Sequence, residues 1–313
     1  MWRDRFNNLL LIAAGALLAA TLAGFAGEYW WFLELFVHFR IHFAAAAALL
    51  AAAFVVTRGL TGGLLSLLCL LLNGVPIMSF LGQTAPKVTA QSKPLKIVSA
   101  NISNATSGNG TRIAAFIREE KPDVLLLIEL TAPMLQELQS VLNEAYPYRY
   151  SLPRPDYFGI GVFSRHRLQD QKLLDLGYLD VPAISVRVVT GQASLRLVGI
   201  HLEWPVTPST AAGRNRQLDN LSLRMNDVDE PLILIGDFNT TRWASRFGDL
   251  VAATGLRDTA TGFGWQPTWP TFLPNLGIAI DHCLVSPALQ VRNHRPGPDI
   301  GSDHYPLIVE LSL

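Results

Sequence analysis

Two stretches without a single charged residue, LLLIAAGALLAATLAGFAG (9–27) and LTGGLLSLLCLLLNGVPIMSFLG (60–82), constrain this chain more than any other feature of it. A helix needs roughly 20 apolar residues to cross the hydrocarbon core of a bilayer, and both stretches meet that length. Between them IHFAAAAALLAAAFVV (41–56) is shorter, and it reads as a third span extended backwards through Phe36 to Phe39. His38, Arg40 and His42 at its start are expected to snorkel to the interface, where Trp30 and Trp31 fit an aromatic belt. A cleaved signal peptide is the rival reading of residues 1–27, because Arg3 and Arg5 precede an apolar run ending in small residues. Two further apolar segments follow, which favours an uncleaved membrane region of about three helices over residues 1–82.

Arg3, Arg5 and Arg58 would lie on the cytoplasmic side by the positive-inside tendency. Three spans then put the carboxyl-terminal half outside the cytoplasm, on a protein integral to the cell (inner or plasma) membrane. Lys87, Lys93 and Lys96 pull the other way. QTAPKVTAQSKP (83–94) has the composition of a linker. Of the chain's 25 basic and 25 acidic residues, 20 basic and 22 acidic lie from Lys93 onward, a net charge of −2 for that part. That balance offers no global electrostatic track for a nucleic-acid duplex, although Arg214, Arg216, Arg242 and Arg246 could form a local patch. Cys69 lies in an expected span and Cys283 beyond it, so the two are not expected to pair.

From Leu95 the pattern alternates. LKIVSANI and DVLLLIEL read as strands, each followed by a helical segment, NGTRIAAFIREEKP around the first and APMLQELQSVLNEA after the second. FGIGVFSR, AISVRVVT and SLRLVGIHLEW are strand-like, TAAGRNRQLDNLSLRMND is a polar helix, and PLILIGDFN, IAIDHCLVSP and YPLIVELSL are further strands. Strands outnumber helices, which argues for a mixed two-sheet α/β domain over residues 95–313 rather than a purely parallel sheet. Polar residues recur at the strand ends: Asn101, Glu129, His201, Asp237 with Asn239, Asp281, and then Asp303 and His304 before the last strand. In GDFN (236–239) the two polar side chains are two apart and would face one cleft. The alternative for that segment is a polar turn with Asn239 or Thr240 capping the next helix.

The order of these pieces resembles the endonuclease/exonuclease/phosphatase superfamily, which includes pancreatic-type deoxyribonucleases, abasic-site endonucleases, neutral sphingomyelinases and inositol-polyphosphate phosphatases. GDFN (236–239), IDHCLVS (280–286) and GSDHYPL (301–307) carry the resemblance most specifically, with SANI, LLLIEL, GIGVFSR and GIHL as weaker pieces. Ile128 stands where family members usually have Gln. The resemblance implies two mixed β-sheets packed face to face and flanked by helices, a four-layer sandwich. It implies a Mg²⁺ site, with Mn²⁺ as the alternative ion, in which Glu129 is the principal ligand and Asn101 and Asp303 lie close to the metal. By the same resemblance Asp237 orients or deprotonates water, Asn239 donates to a phosphate oxygen, and His304, paired with Asp281, stabilises the phosphorane. His201 helps the leaving oxygen depart, with Asp156 as its acidic partner.

GFGWQPTWPTFLPN (262–275) brings aromatic and proline residues without charge into a loop expected near the site. It could stack on a base through Trp269, dip into a lipid interface, or pack on its own domain as a lid. The expected activity is a membrane-anchored, metal-dependent phosphoesterase, first as a phosphodiesterase or nuclease whose substrate meets Arg214 and Trp269. The alternative is hydrolysis of phospholipid headgroups at the membrane surface. An inactive scaffold is the third reading, disfavoured because Glu129, Asp237, Asn239, Asp303 and His304 are all kept. The bilayer and a phosphodiester substrate are the expected partners, and nothing in the sequence calls for a protein partner.

Overall fold

The computed structural model describes residues 2–85, 88, 94–103, 108–191, 193–226 and 228–312, without the side chains of Trp2 and Arg3. Most of the expected linker, with Lys87 and Lys93, lies outside the described residues. Three long helices, α1 (Trp2–Phe25), α3 (Arg40–Thr57) and α4 (Leu60–Leu81), form the amino-terminal part. By length and composition the segments Asp4–Phe25, Trp31–Thr57 and Leu60–Leu81 can each cross a membrane. Asn73 on α4 donates to Thr21 on α1 at 3.0 Å, a buried polar tie between apolar helices.

The middle segment is not one helix running back through Phe36–Phe39. It is broken into a four-residue helix, α2 (Trp31–Glu34), and a 3-10 turn, Val37–Phe39, before α3 begins. The break turns polar side chains toward the carboxyl-terminal half, and the expected snorkelling is corrected accordingly. His38 Nδ1 lies 3.0 Å from Thr241 Oγ1, and His42 Nε2 donates to the Leu276 carbonyl at 2.7 Å. Arg40 donates to the Leu72 carbonyl at 3.1 Å and lies over the Phe25 ring at 4.6 Å. At the far end of the bundle Thr57 donates to Asn7 at 2.7 Å. The start of α1 and the α3–α4 turn therefore share one end, and the carboxyl-terminal half packs on the other.

That half contains two six-stranded mixed sheets. The first runs β11 (Gln290–Pro296), β12 (Leu307–Ser312), β1 (Leu95–Asn101), β2 (Val124–Ile128), β4 (Ile160–Ser164), β3 (Tyr148–Leu152). The second runs β5 (Arg167–Asp175), β6 (Pro182–Thr190), β7 (Ala193–His201), β8 (Leu232–Asp237), β10 (Asp281–Val285), β9 (Arg257–Asp258). Each sheet has one parallel pair at its centre, β1 with β2 and β7 with β8. Parallel neighbours need a crossover, supplied by α5 (Gly110–Glu120) in the first case and α8 (Pro208–Met225) in the second.

The continuous apolar runs of β2 and β8 follow from burial on both faces. Leu126, Ile128, Ile233 and Ile235 point into the core between the sheets. Leu125 and Leu127 point outward onto α5, α6 (Ala132–Glu137) and α7 (Gln139–Ala145). Leu232 and Leu234 point onto α8 and α9 (Ser245–Thr254). Helices, sheet, sheet and helices make the four layers that the resemblance implied. Strands β3, β5, β9 and β11 had no sequence signal, because they lie at or beside sheet edges with polar or charged residues along them, as in RLQDQKLLD of β5.

Candidate active site

The carboxyl ends of the two parallel pairs converge. In register, Asn101 ends β1 beside Ile128, with Glu129 next in the chain, and His201 ends β7 beside Asp237 of β8. Antiparallel β10 starts with Asp281 directly opposite Asp237. The loop before β12 is fixed to β1 by Ser302 Oγ, which donates to the Asn101 carbonyl at 2.8 Å and accepts from the His304 backbone N–H at 3.1 Å. The glycine of GDFN has a reason. Gly236 has φ of 145°, and a Cβ there would run into the Ile200 carbonyl oxygen. Glu129 and Asn239 also take positive φ, 60° and 48°, so both turn out of their strand ends in a conformation that non-glycine residues seldom adopt.

His304 is the centre of a buried charge cluster. Its Nδ1 lies 2.9 Å from Asp281 Oδ2, and its Nε2 lies 3.8 Å from Asp237 Oδ2. Burial by itself would lower the imidazole's pKa, but Asp281 and Asp237 outweigh it and raise it to about 10. The ring is an imidazolium held by two carboxylates. Asp237 is pushed up to about 6, by burial first and the Asp281 charge second, against the pull of His304 and His201. His201 Nδ1 lies 2.9 Å from the Tyr157 carbonyl, which can only accept, so that nitrogen carries a proton. Its Nε2 faces Asp237 Oδ2 at 3.6 Å.

The remaining expected residues divide. Asn101 donates to Glu129 Oε1 at 3.0 Å and to Asp237 Oδ2 at 3.3 Å, and its own oxygen accepts from the Ser103 backbone. Placed this way its amide nitrogen ties two carboxylates together, and its oxygen keeps a second lone pair beyond the Ser103 bond. Asn239 receives its backbone geometry from Asp237 Oδ1 at 2.8 Å and donates to the Leu202 carbonyl at 2.8 Å. Trp269 Nε1 donates to Asp303 Oδ2 at 3.1 Å. Asp156 is not the partner of His201. It is bound by Arg154 at 2.6 Å, and the carbonyl of its neighbour Tyr157 takes the expected role. Arg214 does not face the cleft either, since it is fully buried and its Nη2 donates to Glu34 at 2.6 and 2.7 Å. The rest of the expected basic patch is engaged as well. Arg242 pairs with Asp258 at 2.6 Å, Arg246 pairs with Asp219 at 2.8 Å, and Arg216 donates to the Gly177 carbonyl at 3.4 Å.

A cavity of about 610 Å³ opens over these groups, lined by Asn101, Glu129, His201, Asp237, Asn239, Asp303, His304 and Trp269 together. It also draws in residues that sequence reasoning missed: Leu35, His38 and Phe39 from the amino-terminal helical part, and Glu203, Trp204 and Val206 after β7. The available signal was the polar Glu34 and His38 inside an otherwise apolar segment. Glu129, Glu203, Asp237 and Asp303 line the cavity while no Lys or Arg among the described residues does. Hard oxygen donors with no Lys or Arg among them suit a divalent ion such as Mg²⁺. Asp237, Asp281 and His304 offer ligand atoms within 4.8 Å of one another and are also close enough to hold one.

Residues 98–304 match the Endonuclease/Exonuclease/phosphatase family. No curated protein matches the chain. Among solved structures, D. rerio TDP2 complexed with a single-strand DNA product is 19% identical with a TM-score of 0.60, covering 71% of this chain and 100% of its own. The 3′ phosphatase NExo from Neisseria, bound to a product DNA hairpin, is 20% identical at 0.58, covering 70% and 100%. An endonuclease/exonuclease/phosphatase from Beutenbergia cavernae is 22% identical at 0.57, covering 71% and 72%. At these identities the likeness is one of fold.

Proposed function

Because this chain belongs to the endonuclease/exonuclease/phosphatase family, we propose that it is a membrane-anchored, divalent-metal-dependent phosphodiesterase. The observation that carries this reading is the cluster of Asp237, His201 and His304 at one cavity floor with Asp281 against His304, an imidazolium fixed between two carboxylates. Glu129 and Asp303, with Asp237 within reach, would hold Mg²⁺, which supplies charge neutralisation for an anionic phosphorus under attack. His304 then has no part as a ligand, since both of its nitrogens face carboxylates as a cation.

Asp237, pushed up to about 6, is basic enough to take a proton from water as the oxygen attacks phosphorus. The His304 imidazolium donates to the oxygens of the pentacoordinate phosphorane. The proton that Asp237 takes from water can pass to His201 Nε2 across 3.6 Å, and His201 Nε2 hands it on to the departing ester oxygen. Asn239 has a second amide N–H for a phosphate oxygen beyond the one given to Leu202. Nucleic acid remains a second reading, since D. rerio TDP2 and NExo were solved with DNA.

The up-and-down packing of the three helices supports a catalytic half on the side of the membrane away from Arg58, which is outside the cytoplasm by the positive-inside tendency. The activity test is hydrolysis of bis(p-nitrophenyl) phosphate by the full chain in detergent, with Mg²⁺ and with chelator. Turnover that needs the metal and is lost in His304→Ala supports the reading. Turnover indifferent to both would end it.

A further inference from the structure

The catalytic cavity is walled partly by the membrane region. Leu35, His38 and Phe39 come from the break between α1 and α3, yet they line the same cavity as Asp237 and His304. This wall is anchored. Glu34 binds the buried Arg214 with both carboxylate oxygens at 2.6 and 2.7 Å, and His38 lies 3.0 Å from Thr241 Oγ1, three residues past Phe238 in the loop that carries Asn239.

His38 and His42 at the start of α3 and Phe80 at the end of α4 contact Thr241, Leu276 and Trp243, so if these helices span a bilayer the cavity would meet the level at which lipid phosphates sit. Large apolar side chains surround it there. Phe39 and Val206 are each about two-fifths exposed and Trp204 is 60% exposed, and all three line the cavity. Beside them His42, in the first turn of α3, holds the loop of exposed Phe272 and Leu276 through the Leu276 carbonyl. A polynucleotide needs cations along its track. Here no Lys or Arg among the described residues lines the cavity, and Arg214, Arg242 and Arg246 are each paired with a carboxylate.

We infer that the substrate is a phosphodiester carried on a hydrocarbon chain held in the bilayer, its phosphate at the Asp237–His304 floor and its chain running out past Phe39 between the rim and the membrane helices. The inference rests on the phosphodiesterase reading of the same floor and names the substrate class for it. A soluble phosphodiester would use the floor and leave the apolar wall without a partner. A nucleic acid would meet four carboxylates and, among the described residues, no Lys or Arg along the cavity to track its further phosphates.

The test uses the full chain in dodecyl maltoside micelles containing a trace of phosphatidylglycerol, a phosphodiester, with a diazirine in its acyl chain. Irradiation is expected to label Phe39, Trp204 or Val206. Excess dioleoyl phosphatidylglycerol should remove that label, whereas glycerophosphoglycerol and a single-stranded oligodeoxynucleotide should not. Phe39→Asp should lower labelling at Trp204 and Val206 about tenfold or more, and Phe39→Ser serves if the first variant melts at lower temperature than wild type. Label confined to the detergent-facing sides of α1, α3 and α4 would overturn the inference. So would label displaced equally by glycerophosphoglycerol, or displaced best by the oligonucleotide. Turnover of bis(p-nitrophenyl) phosphate in the same micelles separates the two readings. Turnover without cavity labelling sinks only the lipid substrate, and cavity labelling without turnover sinks the phosphodiesterase.

Discussion

Glu34 and Arg214, 180 residues apart, form a buried two-pronged ion pair in which one guanidinium nitrogen donates to both carboxylate oxygens. It joins the break in the amino-terminal helical part to the helix α8 that crosses between β7 and β8. Removing one member of a buried pair leaves the other charge without its partner, which costs roughly 3–5 kcal/mol. Glu34→Gln and Arg214→Met are each expected to destabilise the chain by about that much, read as thermal unfolding in detergent. The double variant should recover much of the loss, because no uncompensated charge remains. Equal, additive losses would mean that the two side chains do not depend on each other.

The coupling of His304 to Asp281 has a kinetic signature. His304→Ala should lower turnover about a hundredfold or more, as loss of a charge-stabilising donor does. Asp281→Asn should slow the reaction too, by removing the nearer of the two charges that keep the imidazolium favoured. Adding Asp281→Asn to His304→Ala should cost little more, since both act through one group. Multiplying losses would show that Asp281 acts elsewhere.

Glu129→Gln should keep the fold and shift the Mg²⁺ requirement upward, because it removes a charged oxygen from the cavity while leaving an acceptor for Asn101. Titrating Mg²⁺ against turnover of wild type and variant checks this. Superimposable curves would remove Glu129 from the metal site.

His294 gives the folded state a pH dependence of its own. Burial lowers its pKa from 6.5 to about 4, and Thr259 Oγ1 lies 2.8 Å from its Nδ1. A histidine kept neutral by folding contributes stability that is present above its unfolded pKa and is lost as pH falls toward its folded one. Between pH 6.5 and about 4 the unfolded chain binds the extra proton, so melting temperature should fall through that window by the equivalent of roughly 3 kcal/mol at most. His294→Gln should flatten that part of the profile. An unchanged slope would assign the acid sensitivity to other groups.

A topology reporter that is active only outside the cytoplasm, fused after the last residue, should be active. A signal only from a cytoplasmic reporter would mean that Trp31–Thr57, interrupted by its 3-10 turn, does not span, or that all the helices run the other way.

The sequence by itself determined the elements whose signal is local. Uncharged stretches around residues 9–27 and 60–82 can only be apolar helices, and VLLLI and LILIG can only be strands buried on both faces. The polar residue after each such strand marked Glu129, His201, Asp237 and Asp281 as members of one site, because a strand end at the rim of a sheet is where a charge can face a cleft. Tertiary structure decided what depends on distance along the chain. Asp156 and Arg214 looked like candidates for the site, but their partners proved to be Arg154 and Glu34. Polar edge strands such as β5 gain their order from a neighbour's backbone and leave no apolar pattern to read. Leu35, His38 and Phe39 join the cavity only because an apolar amino-terminal segment bends at Glu34 to meet a guanidinium 180 residues away, and a charge pair of that separation has no periodicity in the sequence.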